Sequence, residues 1–539
     1  MTDMVLLGDE AAALGAVHAG LTASYAYPGT PSTEITEYLL KYAAAHGRPK
    51  AAWCTNEKTA YEEAIGVSLV GRRALVSMKH VGLNVASDPF MNSALIAING
   101  GLVVVVADDP GMHSSQNEQD SRYYADFARV ICLEPATQQE AYEMTREAFD
   151  LSEQFHIPVL VRLVTRLAHS RAIVRLAEAR EENALRKATD WTGWTLLPAN
   201  ARRQWRLLLE RQHDFQAYSE RSKHNPLALT GRHDLGIITT GLAANYYAEN
   251  VDDLGEAPSH LHIGAYPIPV ARVRELVSRV ERVLVLEEGY PLVERLLRGI
   301  IPPGVAIAGK ETGEVPADGE LTPDIVRRAL GLSVRQGVEL PGITPPSRPP
   351  QLCDGCPHSD TLQALQQALK SFKTSLVTSD IGCYTLGALP PYSAVESCVC
   401  MGASVGMAKG AAEAGFRPVV GVIGDSTFLH SGVTPLIDAI VADTDMTLVI
   451  VDNETIAMTG GQPTMLPSSK LKPLVLGLGV NPDHFHVIKA HHLQAAANVE
   501  IIRKELEYHG LSVIIAVREC IETAKTKKRQ AVVTQEATV

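Results

Sequence analysis

The stretch Val419-Val-Gly-Val-Ile-Gly-Asp-Ser426, followed 26 residues after Ser426 by Asp452-Asn453, decides how this chain folds. Val419 to Ile423 is an apolar run of strand length, and so is Met446 to Val451. Runs without polar alternation are buried on both faces, the mark of central parallel strands. Between them, Thr427 to Asp443 has the length of one crossover helix. A strand–helix–strand unit sets its two strand ends side by side at the carboxyl edge of the sheet, so Asp425 and Asn453 are predicted neighbours. One carboxylate, one amide carbonyl and the backbone carbonyl of Thr455 suit a hard divalent cation whose other ligands come from a diphosphate and water. Gly424 admits close approach to the backbone there.

Working outward, the same alternation recurs in two earlier blocks, which predicts an α/β protein of doubly wound parallel-sheet domains. Ala74 to Lys79 and Leu102 to Ala107 read as buried strands and Glu57 to Val70 as a helix. The turn Asp109-Pro-Gly111 then opens a polar loop, Met112 to Arg122. A second block holds strands Leu235 to Thr240 and Val283 to Glu287, and a third adds strand Ser375 to Thr378 and helix Gly402 to Ala414. The expected division is 1–175, a helical linker 176–228, 229–340, a stiff proline-rich linker 341–350, 351–523, and a polar, flexible tail 524–539 with Lys525, Lys527, Lys528 and Arg529. Trp191, Trp194 and Trp205 are expected to pin the helical linker onto a domain.

A chain of 539 residues, 46% of them hydrophobic, can fill several cores, and this rules out a single small binding module. The net charge of −12 argues against nucleic acid or an anionic membrane as partner. The longest apolar stretch, Ser93 to Ala107, is broken by Asn99, Gly100 and Gly101, and Met1 to Met4 lacks a cationic leader, so a cytoplasmic protein is expected. Eight cysteines are too few for a disulfide scaffold and point to core thiols, catalysis or metal. Cys353 and Cys356 form a C-x2-C after the prolines, Cys383 closes Asp380-Ile-Gly-Cys383, and Cys520 follows the strand Val513 to Val517. Four such thiolates can converge at one sheet edge and hold zinc or an iron–sulfur cluster, and spacing leaves both open. Cys398 and Cys400 are expected in a packed segment, and Cys54 and Cys132 in cores.

The Gly424-Asp-Ser426 to Asn453 spacing resembles the thiamine diphosphate motif. Its continuation, Asp452-Asn-Glu-Thr-Ile-Ala-Met-Thr-Gly-Gly-Gln462, resembles the 2-oxoacid:ferredoxin oxidoreductases. Tyr27-Pro-Gly-Thr-Pro-Ser32, Met78-Lys-His-Val-Gly-Leu-Asn84, Ala107-Asp-Asp-Pro-Gly-Met-His-Ser-Ser-Gln-Asn117 and Cys353-Asp-Gly-Cys-Pro-His358 are together similar to the large subunits of the arylpyruvate branch of that family. The resemblance spans almost the whole chain.

It implies a pyrimidine-binding domain at 1–175, a transketolase C-terminal-like domain at 229–340 and a diphosphate-binding domain at 351–523. Asp425, Asn453 and the Thr455 carbonyl would hold Mg²⁺, while Gly382, Gly402, Gly424, Ser426 and Thr459 line the cofactor site. Tyr27, Pro28, Gly29 and Thr30 would pack on the cofactor, and Glu57 would meet its aminopyrimidine ring and favour the imino tautomer. Without the motif, Glu57 reads as a helix N-terminal carboxylate. Cys353, Cys356, Cys383 and Cys520 would carry a single [4Fe–4S] cluster, although Arg518-Glu519 stands where a proline usually precedes the last cysteine. A 2-oxo acid needs a cation at its carboxylate and a proton donor at its carbonyl oxygen. Lys79, His80 and Arg122, clustered with Asp108, His113, Gln116 and Asn117 in two loops, are the candidates, each also readable as a salt-bridge partner.

The implied activity is oxidative decarboxylation of an aryl 2-oxo acid, such as indolepyruvate or phenylpyruvate, to its acyl-CoA, with coenzyme A as co-substrate. A smaller β subunit in a hetero-oligomer built on a dimer is implied as well. Family members usually continue into a ferredoxin-like domain with two C-x2-C-x2-C-x3-C runs, whereas this sequence has no cysteine after Cys520. Electrons are therefore expected to leave the one cluster for a separate acceptor, ferredoxin or another redox protein. Two alternatives stand beside this reading: a non-oxidative thiamine-dependent decarboxylase whose thiols are free or bind zinc, and a non-catalytic scaffold or regulatory subunit.

Overall fold

The apolar runs become strands buried from end to end, Leu102–Asp108 and Met446–Asp452 among them. The computed structural model describes residues 3–337, 341–342 and 350–536, and the chain divides into two compact units, Met1–Leu340 and Pro341–Val539.

In the second unit, five parallel strands lie in the order Leu376–Ser379, Val419–Gly424, Met446–Asp452, Leu511–Val517 and Phe485–Lys489. Successive side chains of a strand point to opposite faces. Thus Val420, Val422, Val449, Val451, Ile514 and Ala516 enter one core, while Val419, Ile423, Leu448, Ile450, Val513 and Ile515 enter another. The crossover predicted as one helix is interrupted. A short helical turn, Asp425–Thr427, passes through a π-helical turn, Phe428–Gly432, into the helix Val433–Val441. Such widened turns are rare and concentrate at functional sites.

The first unit holds a seven-stranded sheet in the order Ala265–Tyr266, Cys132–Leu133, Val159–Val164, Leu102–Asp108, Ala74–Lys79, Ala23–Ala26 and Lys50–Trp53. It also holds a five-stranded sheet, Ala306–Ala308, Arg282–Leu286, Gly236–Thr240, Ser259–Ile263 and Leu227–Ala228. The seven-stranded sheet takes Ala265–Tyr266 from beyond residue 175 and the five-stranded sheet takes Leu227–Ala228 from the expected linker, and one continuous hydrophobic core runs through both. Ala265–Tyr266, from the later block, pairs antiparallel with Cys132–Leu133 of the earlier one.

A buried ion network joins them. Arg122 and Arg162 are both fully buried. Arg122 pairs with Asp120 and with Glu287 (3.1 Å), and donates to Thr240 Oγ1 and Tyr266 Oη (both 3.2 Å). Arg162 donates to Asp108 Oδ2 (2.6 Å) and pairs with Glu134. Burial opposes charge on both guanidiniums, but the carboxylates around them outweigh it and raise their pKa values.

Three local expectations change. Residues 176–190 carry no regular structure, and the linker helix runs from Pro198 to Arg221. That helix buries Gln204, Leu208, Phe215 and Ser219; of the three tryptophans, Trp194 packs against the core and Trp205, though 43% exposed, lies under the Arg129 guanidinium, whereas Trp191 is 62% exposed. The expected flexible tail, 524–539, is helical as far as it is described, within Ile521–Glu536. Residues 343–349 of the proline-rich linker and 537–539 of the tail lie outside the described residues. Among the described residues, no helix is long and apolar enough to cross a membrane.

Removing one arginine strands the carboxylates it neutralises, so Arg162→Ala and Arg122→Ala should each destabilise the first unit by about 3–5 kcal/mol. Urea unfolding followed by tryptophan fluorescence reads this unit alone, because Trp53, Trp191, Trp194 and Trp205 all lie in it. Unchanged midpoints would show that the network is dispensable.

Candidate functional site

Strand pairing in the second unit sets Gly424 opposite Val451, so the chain leaves two adjacent strands at Asp425 and Asp452. Both carboxylates are buried, at 5% and 2% exposure, and each keeps one oxygen, Oδ2, without a hydrogen-bond partner. Burial first, and then each other's charge, raises the pKa of Asp425; burial likewise raises that of Asp452. Asn453 stands next to them, 6% exposed. Its Nδ2 lies 3.3 Å from His358 Nε2, and its Oδ1 accepts the Thr455 N–H at 3.2 Å. Glu454 takes a left-handed conformation (φ 60°), turning the chain so that Thr455 comes back beside Asn453. Ser426 Oγ is also buried without a partner, and Thr459 Oγ1 donates to Gln462 Oε1 at 2.6 Å.

Asp380 organises the neighbouring loops. Its Oδ2 accepts from Ser404 Oγ (2.6 Å) and from the Gly402 and Ser404 amides, while its Oδ1 accepts from Tyr384 Oη. Gly402 (φ 87°) cannot carry a side chain, because a Cβ would lie 2.6 Å from the Ser431 carbonyl oxygen in the π-helical turn. At Gly382 and Gly424 a Cβ would strike the Tyr384 ring, at 2.2 and 2.8 Å. The close approach that Gly424 permits is thus made in this structure by an aromatic ring.

The four cysteines come from three segments of this unit and act on one another electrostatically. Burial, then the thiols of Cys356, Cys520 and Cys353, pushes Cys383 up to about 12. Cys356 is raised by burial and feels Cys353 and Cys520. Cys353 is exposed, Cys356 buried, and the other two lie between. Arg518 ties their elements together by donating to the Gly355 carbonyl (2.7 Å) in the C-x2-C loop and to Asp360 Oδ2 (2.6 Å). The Cys520 N–H donates to the Asn453 carbonyl at 3.1 Å. Cys398 and Cys400, expected in a packed segment, are exposed, whereas Cys54 and Cys132 are buried core thiols.

In the first unit, the Tyr27–Thr30 loop is fastened by Ser32 Oγ donating to the Gly29 carbonyl (2.7 Å) and by the Gly29 N–H donating to Thr33 Oγ1 (3.0 Å). The Lys79 stem lies against Gly29, where a Cβ would be 3.2 Å from Lys79 Cγ and Cδ. Glu57 starts the helix Glu57–Leu69 and is 5% exposed, and Gly82 packs so closely that a Cβ would sit 2.6 Å from Glu57 Oε1. Burial pushes the Lys79 ammonium down to about 8 against the opposing pull of Asp109 and Glu57, and its Nζ donates to the Ser114 carbonyl at 2.9 Å. His80 is buried, its pKa lowered by that burial, with Nε2 3.1 Å from the Asn117 carbonyl and Nδ1 without a partner. Arg122 does not join this group. All of its guanidinium nitrogens are engaged in the buried network, so it has no face for a substrate carboxylate.

Sequence reasoning assigned no role to Asp452 or His358. The first is flagged only by adjacency to Asn453, the second by its place in Cys356-Pro-His358. His358 is buried, its pKa brought down to about 4, so it is the neutral partner the Asn453 amide faces.

A divalent cation fits the acidic edge, because two buried carboxylates with orphaned oxygens lie together there with no cationic side chain paired to them among the described residues. The four thiols act electrostatically on one another, a donor set chemically suited to a four-thiolate metal centre.

Residues 14–200 match the family described as "Pyruvate flavodoxin/ferredoxin oxidoreductase, thiamine diP-bdg", and residues 380–516 match "Thiamine pyrophosphate enzyme, C-terminal TPP binding domain". The chain is 37% identical to the indolepyruvate oxidoreductase subunit IorA of Archaeoglobus fulgidus over 97% of this chain and 88% of that one. It is 39% identical to the IorA subunit of Methanothermobacter marburgensis over 96% and 87%. A solved 2-oxoglutarate:ferredoxin oxidoreductase from Magnetococcus marinus shares the fold at a TM-score of 0.51 and 18% identity, over 61% of this chain and 65% of that one. On these likenesses and the α/β architecture that carries them, the chain belongs to the 2-oxoacid:ferredoxin oxidoreductases and is a thiamine diphosphate-dependent enzyme of that family.

Proposed function

We propose that this chain is the subunit that oxidatively decarboxylates an aryl 2-oxo acid, of the indolepyruvate or phenylpyruvate kind, to the acyl-CoA. Electrons leave through one [4Fe–4S] cluster on Cys353, Cys356, Cys383 and Cys520 to a separate acceptor, in a complex with a smaller β subunit. The observation that carries the reading is the convergence of four thiols, one of which, Cys520, donates its backbone N–H to the Asn453 carbonyl at the acidic edge. The aryl preference is supported by the names of the IorA relatives, and the use of coenzyme A by the Magnetococcus enzyme, whose structure holds coenzyme A and succinyl-CoA.

When bound, thiamine diphosphate supplies the electron sink on which a 2-oxo acid loses carbon dioxide, and the cluster takes up electrons singly. Asp425, the Asn453 amide oxygen and the Thr455 carbonyl would hold Mg²⁺; His358 faces Asn453 Nδ2, while Asn453 Oδ1 accepts the Thr455 N–H. Asp452 adds negative charge beside them. Glu57, against which Gly82 packs closely, would face the aminopyrimidine ring and exchange a proton with it. Lys79 offers its ammonium to the substrate carboxylate, and His80, fixed through Nε2 by Asn117, presents Nδ1 in a dry environment.

Anaerobically purified protein should be brown, absorb near 400 nm and contain about four iron and four sulfide per chain. Cys383→Ala should lose most of both. In the reconstituted complex, indolepyruvate and phenylpyruvate should reduce a dye acceptor only with coenzyme A present. A colourless preparation that decarboxylates without an acceptor would overturn the proposal.

Asp425→Asn should weaken Mg²⁺–thiamine diphosphate binding by about 10- to 100-fold in calorimetric titration. Affinity equal to that of the unaltered protein would remove Asp425 from the metal.

A pH dependence follows from Lys79. Its ammonium is present below about pH 8 and lost above it. KM for the 2-oxo acid should therefore rise by up to tenfold per pH unit above 8 while kcat stays nearly level, and Lys79→Arg should flatten that rise. A KM independent of pH from 7 to 9.5 would exclude Lys79 from carboxylate binding.

A further inference from the structure

A second set of ligating side chains lies in the first unit, apart from the residues discussed so far. Asp9 sits in the first turn of the helix Gly8–His18, Glu34 in the first turn of Thr33–His46, and His169 at the end of Thr165–His169. One ligand atom from each lies within 4.8 Å of the other two. Asp9 is completely buried, and neither of its carboxylate oxygens has a hydrogen-bond partner. Glu34 Oε2 and His169 Nε2 are 3.3 Å apart, and their side chains remain 35% and 34% exposed, so the group opens to solvent on one side.

The charges around this point do not balance. Glu34 is matched by His169, but Asp9 faces Glu34 and Glu10 with no cation paired to it among the described residues. Glu10 is occupied by the Leu7 N–H (2.9 Å). Asp109, which also acts on His169, is occupied by Ser114, Ser115 and Thr165. Lys41 acts on Glu34. A buried carboxylate with two unsatisfied oxygens is costly unless a proton or a cation neutralises it. The helices are already pressed together, since a Cβ on Gly8 would lie 2.2 Å from the Leu167 carbonyl oxygen.

Glu34 Oε2 and His169 Nε2 are joined by a hydrogen bond, and their spacing is also one that two ligands of a single ion can share. Ligands about 2.0–2.1 Å from a tetrahedral centre are about 3.3–3.4 Å apart, the separation of Glu34 and His169. One imidazole nitrogen with two carboxylates favours a borderline cation over Mg²⁺, which prefers oxygen alone.

We propose that Asp9, Glu34 and His169 bind one Zn²⁺, with water as the remaining ligand, stapling three helices of the first unit. Glu34 begins the helix that follows the Tyr27–Thr30 loop, so the ion would fix that loop's exit. The proposal does not depend on the substrate or cluster assignments above.

The test compares the full chain with its Asp9→Asn and His169→Gln variants, each stripped of transition metal, returned to Mg²⁺ and titrated with Zn²⁺ against a chromophoric chelator. Asp9→Asn removes a buried charge and keeps the shape, so it should fold. The unaltered chain should bind one more equivalent of Zn²⁺ than either variant, or bind it at least tenfold more tightly. Zn²⁺ should also raise the unfolding temperature read by tryptophan fluorescence in the unaltered chain only. Zinc captured by the cysteines would persist in all three proteins and cancel in the comparison. Equal stoichiometry and equal thermal response in all three would overturn the site and leave Asp9 simply protonated. A loss in one variant alone would overturn the shared ligation. Should Asp9→Asn fail to fold, His169→Gln decides the same question.

Discussion

Carboxylates taken out of water at the ends of parallel strands and the starts of helices are the constraint on which this molecule turns. A parallel sheet delivers every strand to one edge, and loops carrying aspartate and glutamate leave from there. Each buried carboxylate must then find a positive partner, a proton or a ligand. Around Asp108, Asp120, Glu134 and Glu287 the partners are Arg122 and Arg162, built into the chain, and the outcome is a joint between two sheets. Around Asp425 and Asp452 no arginine is paired among the described residues, and the outcome is an edge that suits a divalent cation. The same loop chemistry becomes architecture or site according to whether the counter-charge is covalent to the protein.

That distinction explains how far the residues could be read in advance. The strands Ala74–Lys79, Leu102–Asp108, Val419–Gly424 and Met446–Asp452 were legible because a short, largely apolar run has one comfortable place, the middle of a parallel sheet. The adjacency of Asp425 and Asn453 followed from topology alone. Short strands such as Ala265–Tyr266 and Ala306–Ala308 have no pattern of their own and form because a neighbour offers an edge. The π-helical turn was illegible for a similar reason. Thr427 to Asp443 has the length of a single helix, and the widened turn lies where the Gly402 loop abuts Ser431.

Arg122 shows the limit most clearly. From sequence, an arginine in a polar loop after a strand looks like a ligand for an anionic substrate. Its partners Glu134, Thr240, Tyr266, Glu287 and Tyr290 lie up to 168 residues away along the chain, and only the folded arrangement reveals that it is spent. Lys79 and His80 read the same way in sequence but keep polar atoms that the protein's own hydrogen bonds do not exhaust. His358 and Asp452 were invisible as contributors because their significance is relational. A histidine two residues after a cysteine acquires meaning only when an asparagine from a distant strand faces it.

The loan of Ala265–Tyr266 to the earlier sheet bears on how such a protein can change over evolutionary time. Residues 1–175 look like a self-sufficient module, with their own strands and crossover helices. Cut loose from the later block, they would expose Cys132–Leu133 as a bare edge, ready to pair with any passing strand. They would also keep Arg122 and Asp120 but lose Glu287. Gene rearrangements that separate these blocks onto different polypeptides would have to invent a replacement edge and a replacement counter-charge at the same time. Residues 3–337 are in this sense a single unit of inheritance, whatever the number of sheets they contain.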